Sequence, residues 1–149
     1  MSVMEMQVAI IGAGTAGLSA RPEVAKITDS YRVFDHGPVG TTCARVGCMP
    51  CKAFVQSAHD FHPRVALADL GIQGAEALSP DGLSILAQTR ALRDRLVDGV
   101  LDGMKEWQDT HLVRKAVRFT PDGLLEAEDQ RFRARAMVIA TGTRPVIPS

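Results

Sequence analysis

The chain has 149 residues, 46% of them hydrophobic and 23% charged, enough for one domain with a real apolar core. Its 17 Lys and Arg balance its 17 Asp and Glu, so no global field draws it to nucleic acid. No apolar run approaches the roughly 20 residues of a membrane span, and Met1-Ser2-Val3-Met4-Glu5 lacks the basic-then-apolar order of a signal peptide, so a cytoplasmic protein with neither a nucleic-acid nor a membrane partner is expected.

Gln7 to Ile11 is a continuous apolar run of strand length that leads directly into Gly12-Ala13-Gly14-Thr15-Ala16-Gly17. A GxGxxG between a strand and a helix is the setting in which that pattern binds a dinucleotide. Gly12 serves the tight turn, Gly14 leaves room for a pyrophosphate, and Gly17 lets the helix lie close on the strand. The helix N-terminus then offers free N–H groups to phosphate. Pro22 falls within the predicted helix, so the helix is expected either to kink there or to restart after Ala20-Arg21. The next strand, Tyr31 to Phe34, ends at Asp35, an acid about 20 residues on, where a carboxylate can accept hydrogen bonds from ribose hydroxyls.

Gly40-Thr41-Thr42-Cys43-Ala44-Arg45-Val46-Gly47-Cys48-Met49-Pro50-Cys51-Lys52 follows. Cysteines i and i+5 come within disulfide range only where the backbone turns, and Gly47 and Pro50 supply such a place. Without further context they are equally readable as ordinary buried thiols.

From Pro50 to about Ala68 the apolar spacing predicts a helix interrupted near Pro63. From Leu83 to Trp107 it predicts a long amphipathic helix whose stripe of Leu86, Leu92, Leu96, Val100 and Met104 packs, while Arg90, Arg93, Asp94 and Arg95 form mostly a solvated face. Leu112 to Phe119 and Leu124 to Ala127 flank Pro121-Asp122-Gly123 and predict a hairpin. Phe132 to Ile139 is a further strand, and the apolar run at its end predicts a central position. Ala140-Thr141-Gly142 lies at its carboxyl end, the edge at which open α/β sheets bind ligands. His36, His59, His62 and His111 are read as exposed or hydrogen-bonded surface residues.

Taken together, Gly12 to Gly17, Asp35, Thr42-Cys43 through Pro50 with Lys52, and Ala140-Thr141-Gly142-Thr143-Arg144-Pro145 resemble the flavin-dependent pyridine nucleotide-disulfide oxidoreductases, most closely the dihydrolipoamide dehydrogenase branch. The resemblance covers essentially the whole chain. It implies a Rossmann-like α/β FAD-binding domain with a central parallel sheet, helices on its faces and an added antiparallel hairpin or meander. Residues 1–149 would be the N-terminal part of that domain, without the nicotinamide-binding and C-terminal interface domains.

The resemblance makes Cys43 the thiol that exchanges with a substrate disulfide, and Cys48 the thiol that faces the flavin and forms its charge-transfer complex. It places Lys52 beside the isoalloxazine and the backbone near Val117 against adenine. Gly12, Ala13, Gly14, Ala16, Gly17, Asp35, Thr42, Thr141 and Gly142 complete the FAD contacts. A small-molecule or lipoyl-type disulfide substrate, NAD(P) and a homodimer are implied for the complete enzyme, and the isolated chain is expected to be inactive.

Reactive thiols need a pKa lowered from about 8.5, which a helix N-terminus and a nearby cation can provide. The family's usual second glycine is Thr41 here, its asparagine between the cysteines is Arg45, and its commoner glutamate is Asp35. Cys51 stands where serine is expected, three residues after Cys48 on the same helix face, where it could scramble the disulfide; it reads as a neutral small-residue replacement.

Three other readings remain. Glutathione or mercuric reductase-type enzymes use similar cysteine segments. A simple NAD-binding dehydrogenase domain, or a non-catalytic dinucleotide-binding module, would also suit Asp35. A metal-binding electron-transfer module is suggested by the Cx4CxxC spacing of Cys43, Cys48 and Cys51, with His59 and His62 as conceivable ligands.

Overall fold

The structure, a computed structural model, describes residues 2–144 and 146–148. Met1, Ser149 and the Pro145 that ends the Ala140–Pro145 motif lie outside the described residues. The described part of 1–41 with 101–149 forms one compact unit, and 42–100 forms a second.

The first unit is built on a sheet of strand order β3-β2-β1-β6-β5-β4. Its strands are β1 (Val3–Ile11), β2 (Tyr31–Phe34), β3 (Leu112–Val113), β4 (Arg118–Phe119), β5 (Leu125–Ala127) and β6 (Gln130–Ile139). The pairs β3·β2, β2·β1 and β1·β6 are parallel, whereas β6·β5 and β5·β4 are antiparallel. This is the expected parallel core with an added meander. Helix α1 (Thr15–Ala25) packs on β1, β2 and β6, and the short α5 (Gln108–His111) packs on β2.

Strand β1 begins earlier than its apolar run because Val3 to Met6 pair with Arg131 to Ala134. Glu5 and Arg133 meet in an ion pair at 2.9 Å across that pairing. The N–H groups of Gln7 and Val8 both donate to Ser30 O, at 2.8 and 3.2 Å. Two residues thus share one acceptor, and the pairing with β6 skips Gln7 while keeping its register, so the side-chain alternation changes there. Met6 therefore joins Ala9 and Ile11 in a cluster with Phe34, Leu125, Ala127 and Phe132. Phe34 and Phe132 meet edge to face, with ring centroids 5.0 Å apart, a geometry that adds to burial.

Several expectations change. Leu112 to Phe119 is two strands, since β3 lies at one edge of the sheet and β4 at the other, and residues 114–117 cross between them. Helix α1 runs unbroken through Pro22 and does not restart. Strand β6 has the expected central position, but Ala136 and Ile139 are exposed and Ile139 is 66% accessible. Flanking strands satisfy a strand's backbone without covering its faces.

In the second unit, α2 (Thr42–Arg45) and α3 (Cys48–Phe61) are followed by 3-10 turns at His62–Ala66, Ala68–Leu70 and Ala75–Ala77, so the helix is interrupted near Pro63 as expected. The next helix, α4, covers Gly82–Asp102 rather than reaching Trp107. Asp81 starts it: Oδ1 accepts the N–H of Leu83 at 3.0 Å and Oδ2 accepts the Ser84 hydroxyl at 2.6 Å. No α4 residue is fully buried, so the Leu86–Val100 stripe is not the packed stripe expected. Met104 and Trp107 are buried, but in the turns beyond α4, where the Trp107 Nε1–H donates to Gly103 O at 3.1 Å.

Phe132→Ala removes a fully buried ring and its partner for Phe34. A loss of about 3–5 kcal/mol is expected, read as a lower urea midpoint; a loss under about 1 kcal/mol would show that this pair is not central to the core.

Candidate functional site

At the carboxyl ends of β1, β2 and β6, backbone approaches backbone with no space for side chains. Gly12 has φ +107°, and a Cβ there would clash with the Ala140 carbonyl and lie 3.2 Å from Thr141 N. A Cβ on Gly17 would clash with Gly12 O. No heavy atom lies within 4 Å of the equivalent point on Gly14. These are the three roles that the GxGxxG spacing predicts: a tight turn, an open approach and close helix-strand packing.

The two terminal motifs meet here, since Gly12 abuts Ala140 and the Ala140 N–H donates to Ile11 O at 2.8 Å. Gly142 takes φ +73° just beyond, and Thr141 and Gly142 are exposed.

Asp35 braces the loop. Its Oδ2 accepts the Ala13 N–H at 2.6 Å and its Oδ1 accepts the Gly37 N–H at 2.7 Å. Each carboxylate oxygen has a further lone pair, so these bonds leave acceptor capacity for a ribose hydroxyl. Helix α1 starts at Thr15 with no side-chain cap and no acid in its first turn, which also contains the exposed Ala16. Its positive end is therefore available to an anion.

Beside this loop lies a recess of about 150 Å³, lined by Gly12, Asp35, His36, Lys115, Val117 and Thr141 among others. Whole-ligand pockets are typically about 300–1,000 Å³, so the recess suits part of a dinucleotide. Residues 114–117 cross from β3 to β4, and Lys115, Ala116 and Val117 line the recess. The sequence reading missed Lys115 and His36. The Lys115 ammonium pairs with Glu128 at 2.7 Å, a hydrogen bond that holds its pKa above the ordinary lysine value. Only the strand break, which the sequence pattern did not signal, would have pointed to Lys115. The glycine contacts, the uncapped helix and the recess fit a dinucleotide such as FAD.

The thiols lie in the second unit and are described by themselves. Gly47 separates α2 from α3, and a Cβ on it would stand 3.0 Å from Thr42 O and 3.5 Å from Cys43 Cα. That close approach brings Cys43 and Cys48 into hydrogen-bond contact. The bond to the Cys48 thiol raises the Cys43 pKa, assisted by desolvation and by the Cys48 charge; the Cys48 N–H and the Lys52 ammonium pull it down less strongly. The expected lowering is thus reversed for Cys43 in the dithiol form, because two adjacent thiols resist ionising together. Lys52 and Thr42 are both exposed.

All three cysteines are free thiols. Cys43 is half-buried, whereas Cys48 and Cys51 are exposed. Among the described residues, no group of three or more His, Cys, Asp or Glu is arranged to hold a metal ion, and no helix is long and apolar enough to cross a membrane. His36, His59 and His62 are exposed, and His111 stacks on Tyr31 with centroids 4.0 Å apart.

Thr41, in the place of the usual glycine, has φ +60°. A β-branched residue is unfavourable in that left-handed region.

The sequence profile of the pyridine nucleotide-disulphide oxidoreductases matches residues 6–149. The chain is 26% identical over 147 residues to dihydrolipoyl dehydrogenase of Staphylococcus aureus, an alignment covering 96% of this chain and 31% of the relative. It is 28% identical over 155 residues to mercuric reductase of Serratia marcescens, covering 96% and 32%. The chain thus spans about a third of the length of these curated relatives. Its fold resembles that of the Escherichia coli HOCl-induced flavoprotein disulfide reductase RclA, solved as a Cu(II) complex: the TM-score is 0.69 at 19% identity, covering 95% of this chain and 29% of that one.

Gly17→Ala should destabilise the chain by about 3 kcal/mol or more, and Gly14→Ala by no more than about 0.5 kcal/mol; equal losses in urea denaturation would contradict the division of roles. Thr41→Gly relieves a strain of about 1–2 kcal/mol and adds roughly 0.5–1 kcal/mol of backbone entropy cost. A net gain of about 0.5–1 kcal/mol is expected, and a loss would show that the Thr41 side chain outweighs the strain.

Proposed function

Since the chain belongs to the pyridine nucleotide-disulphide oxidoreductase family, we propose that it contributes the FAD-binding cradle and redox dithiol of a flavoprotein disulfide oxidoreductase of the dihydrolipoamide dehydrogenase type. The observation that carries this reading is the hydrogen-bonded pair Cys43 and Cys48 in a chain that also has a glycine-loop cradle. Turnover is proposed for a protein with the remaining length of the relatives, acting as a homodimer on a lipoyl-type disulfide with NAD(P), in the reducing cytoplasm. Dihydrolipoyl dehydrogenases are matched over nearly the whole chain, which supports that substrate class.

In this reading Gly12, Gly14 and Gly17 shape the loop so that the backbone N–H of Ala16 can face phosphate, while Ala13 contributes by holding the loop on Asp35. Asp35 fixes that loop through Ala13 and offers its remaining lone pairs to ribose, while Val117 and Thr141 line the same recess and Gly142 follows at the strand end. Thr42 and Lys52 are assigned to the flavin side. FAD supplies two-electron chemistry that no side chain provides.

The thiols perform the exchange. The Cys43 thiolate attacks a substrate sulfur and forms a mixed disulfide, and Cys48 then attacks Cys43 Sγ, releasing the substrate thiol and closing Cys43–Cys48. Lys52 favours the thiolate of Cys43 electrostatically, opposing the raising effect of Cys48. Protonated at rest and ionised for attack, Cys43 is gated by the state of its partner.

The visible spectrum of the purified chain, taken after incubation with FAD and desalting, tests the cradle. A retained flavin band is expected. Asp35→Ala and Gly14→Ala should lose about tenfold or more in retention, the loss of one good contact, while remaining folded. A folded wild-type chain without flavin would overturn the reading that these residues suffice. In the complete enzyme, Cys43→Ser should keep flavin and abolish disulfide exchange; persistent turnover would remove Cys43 from its role.

A further inference from the structure

The mechanism leaves one thiol unused. Cys48, Met49, Pro50 and Cys51 form the first turn of α3, where the Cys51 N–H donates to Gly47 O at 3.2 Å. Pro50 is tolerated there because the first N–H groups of a helix have no intrahelical acceptor. Cysteines at i and i+3 are neighbours on a helix face, with Cβ atoms about 5–6 Å apart, and backbones at that spacing fall within the roughly 4.4–6.8 Å Cα range of disulfides. Closing the bond must also draw the two Cβ atoms in to about 3.5–4.5 Å, an adjustment of the backbone in the exposed first turn of α3.

Cys48 thus has a thiol on each side: Cys43, to which it is already hydrogen-bonded, and Cys51, one turn along α3. Both Cys48 and Cys51 are exposed. We propose that Cys51 is a third redox thiol, forming with Cys48 a second disulfide that excludes the Cys43–Cys48 bond. The inference rests on the dithiol reading above.

The step is an exchange. The Cys51 thiolate attacks Cys48 Sγ of the Cys43–Cys48 disulfide. The Cys48–Cys51 bond forms as the Cys43–Cys48 bond breaks, and Cys43 departs as a thiolate that takes up the proton Cys51 lost. No electrons are gained or lost overall. The oxidised chain therefore has two isomers: one with the substrate-exchanging sulfur in the disulfide, the other with Cys43 as a lone thiol and the oxidising equivalents held on α3. Attack by Cys43 on Cys48 restores the first.

Trypsin separates the isomers, because it cuts after Arg45 and Lys52. A Cys43–Cys48 bond joins peptides 33–45 and 46–52, whereas a Cys48–Cys51 bond closes a loop within 46–52 that is two hydrogens lighter and leaves Cys43 to be alkylated. The full chain would be equilibrated in a buffer of reduced and oxidised glutathione, quenched in acid, alkylated and mapped by mass spectrometry. The looped peptide should account for at least about a tenth of disulfide-bonded wild-type chains, a ratio within tenfold between two exchanging disulfides, and should persist in Cys43→Ser. A wild-type chain with no looped peptide, or a Cys43→Ser chain that ends only in glutathione adducts, overturns the proposal. Cys51→Ser separates this from the parent reading: if it forms the 33–45 to 46–52 cross-link the Cys43–Cys48 dithiol stands whatever Cys51 does, and if it does not, the dithiol reading itself fails.

Discussion

The ligand edge of the sheet depends on backbone meeting backbone at Gly12. The carbonyl of Ala140 and the start of α1 both crowd this residue, and no side chain fits between them. That contact brings the end of β6 beside the first glycine loop although 128 residues separate Ala140 from Gly12 in the chain. The long pairing of β1 with β6, from Val3 to Ile11, holds the two in register. The recess and its access to Asp35 follow from that register rather than from the recess residues themselves.

A similar use of glycine sets up the thiol pair. Gly47 lets the start of α3 approach Thr42 O and the Cys43 backbone, so a separation of five residues becomes a hydrogen-bond contact. One turn earlier the chain uses the opposite solution, placing Thr41 at φ +60° where glycine would be unstrained. The strain lies immediately ahead of α2, the element that carries Cys43. The left-handed Thr41 and the close approach at Gly47 thus lie on one short stretch of backbone.

What was legible in the sequence was what local chemistry determines. The glycines of the first loop, the acid at Asp35, the hairpin around Pro121-Asp122-Gly123 and the interruption near Pro63 all follow from the conformational demands of a few neighbouring residues. What escaped is set by distant partners. Val3 to Met6 do not read as strand until Arg131 to Ala134 pair with them, and the break of Leu112 to Phe119 arises because its two ends pair at opposite edges of the sheet. Lys115 entered the recess for that reason alone. The α4 stripe shows the converse error, since helical periodicity identified the helix but not the extent of its burial. The direction of the Cys43 shift was missed because it depends on the second thiol rather than on the helix end or Lys52.

Asp35 shows how a small departure from a motif changes the physics of a site. A glutamate at this position would carry its carboxylate one methylene farther from the backbone. Aspartate keeps it within 2.6 Å of the Ala13 amide and 2.7 Å of the Gly37 amide. Such charge-assisted bonds are stronger than neutral ones, so the carboxylate is committed to the shape of the loop before any ligand arrives. A ribose hydroxyl would then meet an acceptor already fixed in place, giving up hydrogen-bonding capacity but gaining preorganisation. In the proposed FAD site the shorter acid would tie the conformation of the glycine loop to recognition of the sugar, two tasks that a longer side chain would leave more nearly independent.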